Sequence, residues 1–157
     1  MTDLENKEIF MRIALEEAKA AFTEGEIPVG ALVVKGGEIL AAAHNTNRKE
    51  SNPVRHAEIA CIEKASRVLG NERLIDCELY VTKEPCAMCA GAIVHARIKR
   101  VIIGTEDAKY GACGTVLDVC GNKNLNHVPG IEFGILRDEA SGLLKEFFKS
   151  KRGRHDL

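Results

Sequence analysis

The sequence predicts an α/β protein in which helices cover both faces of a single sheet. Three observations favour this class: a helix-like stretch opens the chain, a hairpin-like pair of strands follows, and helix-like and strand-like segments then alternate. Layers packed around one sheet are the simplest way to bury such a series of elements. The 157 residues are enough for one compact domain, residues 1–157, with a sizeable core.

The first predicted elements are a helix and a hairpin. Apolar residues recur at helical spacing over 5–22, and the segment GEIPVG then breaks the pattern. Strand-like segments at 29–34 and 38–43 flank Gly36 and Gly37, a pair typical of a two-residue hairpin turn. A polar loop separates this hairpin from the next helix.

Helices and strands alternate over the rest of the chain. The predicted elements are a helix over 55–69 that stops at Gly70, a strand over 77–82, a helix over 86–97, a strand over 100–104, an irregular stretch over 105–128, a strand over 131–136 and a basic amphipathic helix over about 137–152. Asp138 is the candidate N-cap of the last helix. Its predicted apolar stripe comprises Leu143, Leu144, Phe147 and Phe148.

Composition and charge narrow the function classes. Apolar residues make up 45% and charged residues 29% of the chain, as in soluble globular proteins. The net charge of −1 gives no whole-molecule reason to bind nucleic acid. No apolar run approaches the roughly 18 residues of a membrane span, and the acidic N-terminus lacks a signal-peptide core. We therefore expect a cytoplasmic protein with reduced thiols, no membrane contact and no organic cofactor.

Four side chains at two predicted helix starts suggest a metal centre. His56 and Glu58 begin one helix, while Cys86 follows Pro85 at the start of another and Cys89 lies one turn later. Side chains in a first turn lean toward the N-terminus, so the imidazole and both thiols can reach one point beyond the helix ends. The helix dipoles favour thiolate there. One histidine and two cysteines leave a fourth position open, as in catalytic zinc sites, and predict one Zn²⁺ per subunit.

Taken singly, these residues are also compatible with sites other than a catalytic metal centre. The C-x-x-C pair alone is also compatible with a redox site, and His56 alone with a buried core histidine. A structural four-ligand site would need Cys61, which lies farther along the helix. The combined pattern, with a helix and a strand between His56 and Cys86, favours zinc. The other cysteines are expected to be small apolar residues or surface thiols, namely Cys61, Cys77, Cys113 and Cys120.

The motifs resemble those of the cytidine deaminase superfamily. The pattern H-x-E…P-C-x-x-C is the signature of zinc deaminases, in which the glutamate transfers protons and is not a metal ligand. Over nearly the whole chain the sequence is similar to the bacterial tRNA-specific adenosine deaminases. The segments that carry this resemblance are GEIPVGALVV (25–34), HN (44–45), HAEI (56–59), the run from RLIDCELYV to RVIIG (73–104), DAKYGACGTVLD (107–118), NLNH (124–127) and GILRDEASGLLKEFFKSKR (134–152).

This resemblance implies a fold and a site. The fold is a three-layer α/β/α sandwich with a mixed five-stranded sheet, and the protein is a homodimer. The reaction converts adenosine to inosine at the wobble position of a tRNA anticodon arm. Glu58 is then the proton shuttle and Asn45 hydrogen-bonds the target base. Val29, Ala57 and Asp107 fall where the family lines the base pocket and the RNA path.

Two surfaces are expected to bind partners. Apolar Ile93 and Val94, on the helix that starts with a metal ligand, support the homodimer. Phe148 and Arg152, on the last helix, are candidate RNA contacts. The alternative is that this basic end is a solvated helix face with a frayed tail. The basic residues concerned are Lys145, Lys149, Lys151, Arg152 and Arg154.

Two residues depart from the family pattern and keep a second function open. Arg55 precedes the metal histidine where the family usually has a small residue, and Lys83 occupies a usually apolar position. These cations suit RNA phosphate, or else an acidic small substrate. The alternative function is thus deamination of a free base, nucleoside or nucleotide of the guanine or cytosine type. A zinc module that only binds RNA would not need Glu58.

Overall fold

The computed structural model describes residues 1–155, and describes side chains as far as Lys151. None of the helices in this part of the chain has the length and apolar character that a bilayer span requires. The elements, in chain order, are α1 (Asp3–Thr23), β1 (Gly30–Lys35), β2 (Glu38–His44), α2 (Ala57–Leu69), β3 (Cys77–Lys83), α3 (Ala87–Ala96), β4 (Arg100–Thr105), β5 (Gly130–Phe133) and α4 (Arg137–His155).

The five strands form one mixed sheet in the order β2-β1-β3-β4-β5. Strand β1 pairs antiparallel with β2 and β3, while β3, β4 and β5 run parallel. Helices α1 and α4 pack on one face, and α2 and α3 pack on the other. The predicted α/β/α fold is therefore confirmed. The carboxyl end of β3 leads directly into the start of α3, which brings the second metal motif to this edge of the sheet.

Strand β1 shows why two cores form. Leu32 and Val34 pack with the α1 side of the sheet, whereas Ala31 and Val33 pack with the α2 and α3 side, as the two-residue period of a strand requires. Gly30 opens the strand because α1 crosses it closely. A Cβ atom at Gly30 would lie 2.0 Å from the carbonyl oxygen of Ala14, so no larger residue fits there.

The predicted hairpin turn at Gly36 and Gly37 and the predicted helix end at Gly70 are confirmed. Gly36 and Gly37 have φ angles of 57° and 80°, the left-handed conformation that a two-residue type I′ hairpin turn requires. Helix α2 ends at Gly70, whose φ of 66° provides a left-handed C-terminal cap.

The last strand and helix differ from the prediction. Strand β5 stops at Phe133 because Gly134 and Leu136 adopt positive φ angles of 99° and 54°, which turn the chain out of the sheet. Helix α4 then begins at Arg137, so Asp138 lies in its first turn. The N-cap assignment of Asp138 was wrong, although a carboxylate in the first turn still complements the helix dipole.

The apolar stripe of α4 is narrower than predicted. Phe147 is buried and stacks edge-on against Phe22 of α1, with ring centroids 5.5 Å apart. Leu143 and Leu144 are half-buried, but Phe148 is 43% exposed. Phe148 therefore presents an aromatic ring to solvent and is not part of the core.

Candidate metal centre

Two helix N-termini meet at the candidate centre. His56 is the N-cap residue of α2 and Cys86 is the N-cap residue of α3, and both have extended backbone. Neither side chain caps its own helix. Both are therefore free to point at a common ligand, at a place where two helix dipoles favour negative charge.

The structure brings the three predicted metal ligands together. Nδ1 of His56 lies 3.6 Å from Sγ of Cys86 and 3.4 Å from Sγ of Cys89. The three ligand atoms all lie within 4.8 Å of one another. Bonds of about 2.0 Å to nitrogen and 2.3 Å to sulfur, at tetrahedral angles, would separate such ligands by about 3.5 Å. The cluster therefore fits a tetrahedral metal ion with one position left over.

Cys61 does not belong to this cluster. Its thiol is fully buried and donates to the carbonyl oxygen of Ala41 at 3.5 Å. Burial raises the pKa of Cys61 to about 12, so it stays a neutral thiol. A four-ligand site completed by Cys61 is thus not formed. Cys113 and Cys120 also lie elsewhere, as a buried pair with sulfur atoms 3.4 Å apart.

The ligand set favours a thiolate. A hydrogen bond from the Cys89 thiol, aided by one from His56, outweighs burial and lowers the pKa of Cys86 to about 3. The hydrogen bond with Cys86 in turn raises the pKa of His56. The two thiols share a proton, so the pKa of Cys89 is raised. A cation at this point would replace that proton, as metal binding to thiols requires.

Glu58 lies in the first turn of α2, two residues after His56. Its carboxyl group is buried, and burial raises its pKa above the usual value. A buried carboxyl group with a raised pKa holds a proton more readily than an exposed one, which suits general acid–base chemistry.

Asn45 caps the helix that His56 begins. Its side-chain oxygen accepts a 2.8 Å hydrogen bond from the backbone N–H of Ala57, and its side-chain nitrogen donates to the carbonyl of Ile27 at 3.1 Å. The backbone N–H of Asn45 also donates to the carbonyl of Val29. Val29 and Ala57 thus adjoin Asn45, with their side chains buried in the core. One side-chain amide hydrogen of Asn45 remains for a ligand.

The two unusual cations are held by carboxylates. Arg55 contacts Glu63 at 2.6 Å and Glu50 at 3.4 Å, and Lys83 contacts Asp107 at 3.2 Å. The hydrogen bond to Glu63 raises the pKa of Arg55. A phosphate group that bound either cation would have to compete with a carboxylate already in place.

Helix α4, which carries the predicted RNA contacts Phe148 and Arg152, lies on the α1 side of the sheet, opposite α2 and α3. This helix packs against β3, β4 and α1. The contact between Phe147 and Phe22 places its later turns beside the end of α1, from which the chain continues to Ile27 and the Asn45 contact. Phe148 is exposed there. The Arg152 side chain lies outside the described residues.

Sequence reasoning missed two buried carboxylates near the site. Glu84 is 1% exposed and Glu26 is 2% exposed. Glu26 accepts hydrogen bonds from the backbone N–H groups of Arg48 and Lys49, at 3.0 and 2.8 Å. Each glutamate stands one or two residues before a proline, a weak signal. Their partners are more than 20 residues away, so no local pattern predicted that these carboxylates are buried and hydrogen-bonded.

Comparison with known proteins agrees with this geometry. The sequence matches the family model of MafB19-like deaminases over residues 5–152. A tRNA-specific adenosine deaminase of Aquifex aeolicus is 47% identical over 93% of this chain and 96% of its own. A structure solved in a study of A-to-I editing by tRNA:A34 deaminases is 40% identical, with a TM-score of 0.84 over 87% of this chain and 99% of that one. A guanine deaminase of Nitrosomonas europaea is 25% identical, with a TM-score of 0.78 over 89% and 83%.

Proposed function

Because this chain belongs to the MafB19-like deaminase family, we infer that it hydrolyses the wobble adenosine of a tRNA anticodon arm to inosine, with a catalytic Zn²⁺ held by His56, Cys86 and Cys89. The observation that carries the proposal is the cluster of one imidazole and two thiols at two helix ends, beside the buried carboxyl group of Glu58. A set of one nitrogen and two sulfur ligands with an open position is typical of catalytic zinc.

The substrate is proposed from the relatives. The Aquifex aeolicus relative bears the name of a tRNA-specific adenosine deaminase and matches nearly the full length of both chains. The structure from the tRNA:A34 deaminase study also superposes on this chain better than the Nitrosomonas europaea guanine deaminase does, with a TM-score of 0.84 against 0.78. Adenosine in a single-stranded loop is moreover easily extruded into a pocket, because it has little stacking to lose.

The proposed reaction replaces the amino group of the base by oxygen. Zinc, when bound, supplies hydroxide at neutral pH by lowering the pKa of water. Glu58 would accept the water proton and pass it to the ring nitrogen next to the reacting carbon, and would then carry the proton of the newly attached hydroxyl group to the departing amino group. The carbon–oxygen bond forms, the carbon–nitrogen bond breaks, and adenosine plus water yields inosine plus ammonia.

The polar groups around the base have defined capacities. The Asn45 oxygen accepts one bond from Ala57 and the Asn45 amide donates one to Ile27, so one amide hydrogen and one oxygen lone pair remain for the base. The remaining amide hydrogen would recognise an acceptor atom on the base. Val29 and Ala57, whose side chains are buried beside Asn45, would support the base pocket from the core side.

The RNA backbone is proposed to follow the charged residues at the rim. Lys83 neutralises Asp107 through their ion pair, so this acid repels a neighbouring phosphate less than a free carboxylate would. Arg55, Phe148 and Arg152 are the other proposed contacts. Arg55 must exchange Glu50 or Glu63 for phosphate in order to serve this role.

Assembly and location complete the proposal. We propose one deaminase domain over residues 1–157, acting in the cytoplasm, where tRNA is available, as a homodimer.

Ile93 and Val94 are buried within the single chain, so they cannot form the dimer surface and that argument for a dimer was wrong. Exposed apolar residues in the stretch after β4 are better candidates; they are Val116, Leu117, Leu125 and Val128. Sedimentation that shows only monomer at micromolar concentration would contradict the dimer.

One assay separates the two candidate substrates. The protein is incubated with an anticodon stem-loop that carries a wobble adenosine and, separately, with guanine, cytosine and adenosine, and inosine and ammonia are measured. Glu58→Ala serves as the inactive control. Inosine in the stem-loop, with little release of ammonia from the free bases, is expected. Efficient turnover of guanine or cytosine with an untouched stem-loop would replace the tRNA assignment by the free-base function.

A further inference from the structure

The carboxyl group of Glu84 is buried at the junction between β3 and α3. The residue stands between Lys83, the last residue of β3, and Pro85, which precedes the metal ligand Cys86. A buried carboxylate loses its hydration and is stable only when hydrogen bonds replace it. The groups that provide these bonds therefore indicate what Glu84 does.

All of its side-chain partners come from one irregular segment. Oε1 accepts from the backbone N–H of Asp107 at 3.1 Å and from the hydroxyl group of Thr115 at 2.5 Å. Oε2 accepts from the backbone N–H groups of Cys113 and Thr115, at 3.0 and 3.2 Å. Four donors thus converge on one carboxylate, and they span both ends of residues 107–115.

The segment also passes directly against Glu84. A Cβ atom at Gly111 would lie 2.4 Å from the Glu84 carboxyl group, so only glycine allows this approach. The backbone N–H of Ala112 donates to the carbonyl of Pro85 at 2.9 Å. Residues 107–115 are therefore held against the start of α3, the helix that carries two of the proposed metal ligands.

This segment presents groups toward the proposed RNA path. The Asp107 carboxylate accepts from the backbone N–H groups of Lys109 and Tyr110 and pairs with Lys83. Burial alone would raise the pKa of Asp107, but these bonds and the nearby Lys83 charge lower it, so the carboxylate stays ionised. Tyr110 is 68% exposed. An exposed aromatic ring of this kind is a surface on which a base can stack.

We propose that Glu84 is a positioning residue that holds residues 107–115 as one wall of the substrate entrance and fixes this wall relative to the metal centre. Glu84 does not touch the reacting atoms. Its effect on catalysis is exerted through the placement of Asp107 and Tyr110. The claim about catalysis depends on the proposed function, whereas the claim about the segment does not.

The test compares Glu84→Gln with Glu26→Gln in the zinc-loaded protein. Both changes replace a buried carboxylate by an amide, but the Glu26 partners are Arg48 and Lys49, in another loop. In Glu84→Gln, one carboxylate oxygen becomes an NH2 group, which cannot accept hydrogen bonds from the N–H and hydroxyl donors that face it. We expect amide hydrogen exchange at Asp107, Cys113 and Thr115 to become at least about tenfold faster, the loss expected for a hydrogen bond to a charged group. Glu26→Gln should leave these three amides unchanged.

Kinetics on the stem-loop provide the second measurement. Glu84→Gln should raise KM by about tenfold, keep its zinc and change kcat by less than about threefold, because it disturbs the entrance and not the chemistry. Should Glu84→Gln fail to fold, Thr115→Val retains the carboxylate and removes one donor. Thr115→Val should then show faster exchange at Thr115 and a smaller rise in KM.

Two results would overturn the proposal. Unchanged exchange at residues 107, 113 and 115 in a folded Glu84→Gln protein would show that the carboxylate does not hold the segment. A large fall in kcat with an unchanged KM would instead mean that Glu84 takes part in the chemical step. Because hydrogen exchange needs no substrate, a failure of the tRNA assignment would leave the first measurement valid.

Discussion

The side-chain oxygen of Asn45 accepts a 2.8 Å hydrogen bond from the backbone N–H of Ala57, directly after His56. An N-cap residue normally supplies this type of bond with its own side chain. Here the cap comes from another loop, because the His56 imidazole faces the two thiols. Asn45, which was expected only to recognise the base, thus also caps the helix that begins at His56, a proposed metal ligand.

Loss of this cap should weaken both the fold and the metal site. Asn45→Ala should lower the free energy of unfolding by about 1–2 kcal/mol, the usual effect of removing a cap, and should weaken zinc binding. Denaturant titration and competition with a chelator measure the two effects. Asn47→Ala removes an amide that bonds only within the 47–53 loop and should keep wild-type zinc affinity. Equal zinc affinity in both variants would contradict the positioning role.

Substitution of a thiol should empty the metal centre. The wild-type protein should contain about one zinc per chain, and Cys86→Ala and Cys89→Ala should each lose it, because two remaining ligands hold the ion weakly. Metal analysis after dialysis provides the measurement. Cys61→Ala, which removes a buried thiol outside the cluster, is the control and should keep its zinc. Full retention in either ligand variant would disprove the site.

Replacement of the buried acid should separate binding from chemistry. Glu58→Gln should retain zinc and the fold, yet turn over the stem-loop about 10²–10⁴ times more slowly, the usual contribution of a general acid–base group. Single-turnover assays and metal analysis on the same preparation test this. Near-normal turnover on a verified substrate would remove Glu58 from the mechanism.

Arg55 should reveal whether the rim binds RNA. If Arg55 exchanges its carboxylates for phosphate, Arg55→Ala should weaken stem-loop binding and reduce the salt slope of log K by about one. Arg67→Ala makes the same charge change at the far end of α2, where the side chain is exposed, and should bind like the wild type. Identical salt slopes for the two variants would mean that Arg55 only stabilises its own loop through Glu50 and Glu63.

The phenol group of Tyr80 should lose its proton at a higher pH than an exposed tyrosine does. Burial, aided by the negative charge of Glu78, raises its pKa to about 12 from the ordinary tyrosine value of 10.0. Between these values the native chain keeps a proton that the unfolded chain has lost, so stability falls as the pH rises through this window. The chain has two tyrosines and no tryptophan, so absorbance at 295 nm in Tyr110→Phe follows Tyr80 alone. A midpoint near pH 10 with the fold intact would contradict the prediction.

The sequence predicted what is local and missed what depends on distant contacts. The metal motifs, the Gly36–Gly37 turn and the end of α2 at Gly70 are each specified by a few neighbouring residues, and the structure contains them. Ile93 and Val94 were misassigned because they lie on the buried face of α3, whereas Met88, Gly91, Ala92 and His95 lie on its more accessible face. The sequence of α3 is apolar on both faces, so its apolar residues alone do not show which of them could meet a partner.

Long-range hydrogen bonds could not be read from the sequence. The four donors to Glu84 lie 23 to 31 residues away, in a stretch without periodicity. Gly134 directly follows the end of β5 and was a usable signal, but the positive φ of Leu136 has no glycine or asparagine at that position to indicate it. The sequence also did not reveal that carboxylates pair with Arg55 and Lys83, because ion pairs between loops leave no pattern in the sequence.

A metal ion held by His56, Cys86 and Cys89 would also act as a cross-link. It would join points 30 and 33 residues apart, across a helix and the central strand β3, and so close a long loop that is costly to close in the unfolded chain. An ion that binds only the folded chain adds stability by mass action, about 4 kcal/mol at a free concentration one thousand times its dissociation constant. The melting temperature should therefore rise with the concentration of free zinc.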